Sequence, residues 1–165
     1  LGASGGTLAA ATGQTLTYGG VIAGSGNALT VGSSGNTGTV VLPGSNTYSG
    51  ATTVSFGTLK LGASGGVISD SSALTVSSGA TLDLAGNSET VGSLAGAGTV
   101  TSSAAGTLTL TGDNRYSGTT TIGAGMLDGR GRLRKSMILL CCQKHSAKPT
   151  PSASRSTAAH TSAKS

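Results

Sequence analysis

The feature that most constrains this chain is an internal repeat. Residues 40–61 read V-V-L-P-G-S-N-T-Y-S-G-A-T-T-V-S-F-G-T-L-K-L, and the centre of that stretch, Asn46-Thr47-Tyr48-Ser49-Gly50, returns 68 residues later as Asn114-Arg115-Tyr116-Ser117-Gly118. The register holds on both sides. Leu42 matches Leu110, Gly44 matches Gly112, Thr52-Thr53-Val54 matches Thr120-Thr121-Ile122, and Leu59 matches Leu127. A repeat kept in step over about twenty residues implies a fold made by stacking like units along an axis.

The units are strands. Leu59 and Leu61 flank Lys60, Leu74 and Val76 flank Thr75, Leu82 and Leu84 flank Asp83, and Leu108 and Leu110 flank Thr109. In each triplet the aliphatics point to one face and the polar residue to the other, a period of two. Turn residues stand between the triplets, so the strands are short. No window carries the apolar spacing of a helix, and 29 glycines would oppose one. With three Tyr, one Phe and no Trp, the core must consist of small aliphatics. Short strands, frequent corners and a thin core predict an all-β parallel β-helix rather than a sandwich of hairpins. At roughly 20–24 residues per rung, the repeat is expected to span three rungs and residues 1–133 about six.

Composition divides the chain at residue 133. All 29 glycines precede it, with four Lys/Arg and five acids. Residues 134–165 carry six Lys/Arg, no acid, both cysteines and both histidines. This second segment is expected to be a low-complexity basic tail, either disordered or the product of a shifted reading frame, with the frame break favoured. The chain opens on Leu in repeat-like sequence, which suggests a fragment.

Candidate chemistry is sparse. Asp70, Asp83, Glu89 and Asp113 are scattered and read as outward, solubilising charges; a polysaccharide-acting enzyme would need them clustered. Residues 1–133 contain no His to serve a nucleophilic serine. Cys141 and Cys142 are adjacent, without the spacing of a zinc site. No catalytic, metal-binding or cofactor-binding residue is therefore assigned, and no cofactor is expected. The thin basic charge of the tail licenses no specific nucleic-acid binding. Tyr48 and Tyr116 read as structural residues, with sugar stacking as the alternative. Asn46 and Asn114 read as corner residues in left-handed geometry or as an Asn ladder. With Ser49, Gly50, Ser117 and Gly118 they form the structural repeat set.

The pattern G-x-N-x-Y-S-G-x-T-T-[VI]-x-x-G-x-L, at residues 44–59 and 112–127, resembles the autotransporter-associated β-strand repeat of bacterial passenger domains. Residues 78–84 and 91–100 resemble that family's linking rungs, and residues 21–26 are a weaker copy. The resemblance implies a right-handed β-helix, secreted or displayed at the cell surface by type V secretion. It also implies a C-terminal outer-membrane β-barrel, which this chain does not contain. The implied role is a non-catalytic structural or adhesive stalk. Its expected partners are host or neighbouring-cell surface or matrix glycans or proteins, with end-to-end self-association of the stack. A β-helical polysaccharide-acting enzyme fragment and a glycan-binding module using the repeat tyrosines are the alternatives.

Overall fold

A computed structural model describes residue 2, residues 4–122 and residues 126–129. The tail from residue 134, with its cysteines and histidines, lies outside the described residues. Among the described residues seventeen strands, numbered in chain order, wind into a solenoid in which every strand pairing is parallel. The all-β solenoid of about six turns expected from the repeat is what the chain forms.

The first face stacks β1 (Gly6–Leu8), β4 (Leu29–Val31), β7 (Thr52–Val54), β9 (Ala73–Val76), β12 (Ser93–Gly96) and β15 (Arg115–Tyr116). The second face stacks β2 (Thr15–Thr17), β5 (Thr39–Leu42), β8 (Thr58–Leu61), β10 (Thr81–Asp83), β13 (Thr99–Ser102) and β16 (Thr119–Ile122). The third face is in two pieces. β3 (Ala23–Gly24) pairs with β6 (Thr47–Tyr48), and β11 (Glu89–Val91), β14 (Thr107–Leu110) and β17 (Met126–Gly129) form the other piece. Between them, in the third turn, residues 62–72 cross the face without forming a strand.

Alternation fixes the register, because a slip of one residue would turn every aliphatic outward. Leu29, Leu74 and Leu94 lie in one inward column of the first face, interrupted by Thr52. Val40, Leu59, Leu82 and Val100 form the matching column of the second face. All of these aliphatics are fully buried. Outward, the second face carries an unbroken column of six threonines: Thr15, Thr39, Thr58, Thr81, Thr99 and Thr119. β-Branched side chains suit such a pleated, half-exposed surface.

One expectation is corrected. The 68-residue repeat does not return to its starting face after three turns. The first copy runs through β5, β6, β7 and β8, on the second, third, first and second faces. The second copy runs through β14, β15, β16 and β17, on the third, first, second and third faces. The copies are therefore about three and one-third turns apart. The cause is turn length. Successive first-face partners Gly6, Leu29, Thr52 and Leu74 are 23, 23 and 22 residues apart, whereas later turns take only 20.

Candidate functional site

The repeat residues do the same job in both copies. Asn46 Oδ1 accepts the backbone N–H of Ile22 in the preceding turn at 2.8 Å, and Asn114 Oδ1 accepts that of Leu94 at 2.7 Å. Each Asn Nδ2 donates to the carbonyl two residues earlier, Gly44 at 3.3 Å and Gly112 at 2.8 Å. Asn46 Nδ2 also reaches Val67 O in the following turn, at 2.7 Å. This replaces both sequence readings of these residues. Among the described residues Ala85 is the sole non-glycine with positive φ, so neither Asn is left-handed. Nor do the two stack as a ladder, since they lie in different turns on different faces. They are side-chain staples between turns.

Each tyrosine sits over a glycine of the preceding turn, Tyr48 over Gly24 and Tyr116 over Gly96. Both glycines have positive φ, 143° and 103°, and the linking segments supply them in sequence. Tyr48 and Tyr116 are 1% and 4% exposed. The Tyr48 hydroxyl lies 2.7 Å from Thr52 Oγ1, which lies 3.0 Å from Ser72 Oγ, which donates to Gly50 O at 3.0 Å. Because Ser72 has one proton and gives it to Gly50, the chain of donors must begin at Tyr48. Burial pushes the Tyr48 phenol up to about 12. The Tyr116 hydroxyl lies 2.7 Å from Gly98 O and 2.8 Å from Thr119 O, and its single proton serves one of these carbonyls at a time. Neither ring presents a face on which a sugar could stack, so the glycan-binding reading of these tyrosines is overturned by their burial.

Ser49 and Ser117 remain exposed at the following corner, their N–H groups bonded to the same two carbonyls, Gly24 O and Gly96 O. At Gly50 an added Cβ would strike the backbone of Asn27, and at Gly118 that of Gly98. Close approach of turns, not positive φ, requires glycine there.

Sequence reasoning misjudged Glu89. Far from being an outward charge, it is 2% exposed and occupies a core column beside Leu108. Its carboxylate accepts the N–H of Val67 at 3.2 Å and of Ile68 at 3.3 Å. Burial pushes its carboxyl up to about 7, against the pull of those N–H groups and with a further push from the negative charge of Asp70. The signal was present: Glu89 shares the parity of Val91, and Val91 had to face inward. Beside it lies a shallow concavity of about 300 Å³ lined by Ser64, Ser88, Thr90, Thr107 and Thr109. A perturbed acid in a hydroxyl-lined concavity is what a catalytic acid would resemble. Yet both Glu89 oxygens are taken by backbone donors. Asp83, by contrast, is half-buried and accepts the N–H of Ala85 at 2.8 Å. Among the described residues no group of three His, Cys, Asp or Glu is placed to hold a metal.

Known proteins share parts of this sequence. Residues 36–61 and 105–128 match the family described as Passenger-associated-transport-repeat, and they coincide with the two strand quartets, β5–β8 and β14–β17. The chain carries autotransporter passenger repeats. It is 41% identical over 128 residues to a protein named Adhesin BmaC autotransporter from Brucella suis biovar 1 (strain 1330), covering 73% of this chain. The chain spans only 4% of that relative's length. No solved structure matches it. In this passenger segment, the residues that carry the family pattern are those that bind turn to turn.

Proposed function

We propose that this passenger segment is a non-catalytic stalk, displayed at the surface of a bacterium, that holds adhesive surface away from the outer membrane. The observation that carries the reading is the fate of the repeat residues. Asn46, Tyr48, Asn114 and Tyr116 direct their functional groups into the stack, and what faces outward is dominated by threonine columns. Such a rod acts through length and stiffness, each turn adding about 4.8 Å. The adhesin name of the relative agrees with this role. The partner is then a host-cell, neighbouring-cell or matrix component met by the wider passenger.

The test is surface display between an epitope tag and an exporting barrel, with and without the segment. The segment should raise the epitope and increase adherence to cells or matrix without degrading polysaccharide. Cleavage of a polysaccharide that is lost in Glu89→Gln would instead establish the enzyme.

A further inference from the structure

The second face carries a charge pattern that a plain stalk does not need. Beside its unbroken threonine column runs a second outward column: Thr17, Val41, Lys60, Asp83, Thr101 and Thr121. Lys60 and Asp83 are the sole charged side chains on the six strands of this face. They stand in register on β8 and β10, its two central strands. Lys60 is exposed and, among the described residues, has no hydrogen bond or ion pair. One oxygen of Asp83 accepts the N–H of Ala85, and the other has no partner among the described residues. The remaining outward side chains are short and nearly equal in length, so the face is flat.

We propose that the second face is a self-complementary surface on which a second copy of this chain lies side by side and antiparallel. A two-fold axis lying in the face, along the strands between β8 and β10, reverses the order of the turns and leaves each column facing itself. β8 then lies opposite the second copy's β10, and β5 opposite its β13. Lys60 meets the second copy's Asp83, and Asp83 meets the second copy's Lys60. The threonine column meets its own image, and its hydroxyls both donate and accept across the contact. An isologous contact of this kind closes on itself.

The competing arrangements fail on charge. With the axis along the rod instead, Lys60 lies opposite Thr58 or opposite its own copy. Sliding the antiparallel pair by one turn also sets Lys60 against Lys60, and like charges in contact are penalised. The two charges therefore select both direction and register. Size sets the strength. At about 4.8 Å per turn and 3.3 Å per residue the face offers roughly 300–400 Å² from each copy. A stable interface takes about 800 Å² from each partner, so a single pair is weak and many pairs acting together hold. Rods paired this way point in opposite directions. If the segment is a displayed stalk, as proposed above, they belong to two facing cells; the pairing itself does not depend on that reading.

The full 165-residue chain, tethered through one terminus to beads of two colours, tests the pairing away from any cell. Wild-type beads should cluster, and clustering should fall as salt rises. Lys60→Asp sets acid against acid, and Asp83→Lys sets base against base. Each variant should cluster roughly tenfold less with itself. Beads of the two variants mixed together should cluster as wild type does, because both cross-copy pairs are restored. The net charge of +5 stays positive in either variant, so overall attraction does not produce that rescue. Wild-type beads that stay dispersed, or mixed beads that cluster no better than either variant alone, overturn the pairing. Circular dichroism checks that each variant folds. Should Asp83→Lys not fold, Lys60→Asp decides beside Lys60→Arg. Clustering lost in the first and kept in the second supports the pairing, and any other pattern overturns it.

Discussion

Asn46 and Asn114 each satisfy backbone groups that no strand partner reaches, so their truncation has a calculable penalty. Alanine at 46 leaves the N–H of Ile22 and the carbonyl of Val67 without their side-chain partner. A buried group left unsatisfied costs about 1–3 kcal/mol. Asn46→Ala is therefore expected to lower the unfolding free energy by about 2 kcal/mol in urea melts, and Asn114→Ala similarly through Leu94. Thr58→Ala, on an outward column, should stay within about 0.5 kcal/mol of wild type. Equal losses at Asn46 and Thr58 would show that the staples carry no special weight. Gly50→Val tests a different term. Its Cβ would lie inside contact distance of Asn27, so a loss of about 1–3 kcal/mol from overpacking is expected, with reduced protease resistance. Wild-type resistance in that variant would contradict the close approach.

At the scale of elements, the third face shows how a solenoid tolerates a missing strand. Residues 62–72 add no ladder of their own, but they place Ile68 and Val67 in the core at 0% exposure. Ile68→Ala should cost about 2–5 kcal/mol, as at any buried aliphatic, even though the segment looks irregular. A near-neutral result in thermal or urea melts would mean that the segment merely covers the core. Much of this level was legible in the sequence and some was not. The strands at Leu59-Lys60-Leu61 and Leu108-Thr109-Leu110 declared themselves through strict alternation. Val67-Ile68 did not, because two adjacent aliphatics between Gly66 and Ser69 fit neither a strand nor a helix. Glu89 was missed because residue type was weighed above parity. An acid between Ser88 and Thr90 looks exposed until Val91 fixes which way the strand faces. The staples were invisible for a further reason: the partners of Asn46 lie a whole turn away on each side, and sequence spacing alone does not reveal the length of a turn.

For the whole molecule, turn length decides which residues become neighbours. The 68-residue repeat is compatible with three turns of about 23 residues or with three and one-third turns of about 20, and the periodicity of hydrophobic positions is blind to the difference. The chain mixes both lengths, and the copies end up rotated by one face. This sets a test of the stack as a modular object. Removing residues 94–113 excises one turn: β12, β13 and β14. Asn114 then takes the place of Leu94 against Leu74, since Ala95 and Arg115 already share a register position. β15, β16 and β17 fall onto β9, β10 and β11 with every inward column kept. Removing only residues 94–103 instead brings third-face sequence to the first face and puts the staple of Asn114 out of reach of β9. The whole-turn deletion should keep a strand-type circular dichroism spectrum and one cooperative transition. Its midpoint should be slightly lowered, because one nearest-neighbour interface has been removed. The half-turn deletion should lose cooperativity. If both deletions melt alike, the face assignment is wrong, because only a stack with fixed columns distinguishes a full turn from part of one.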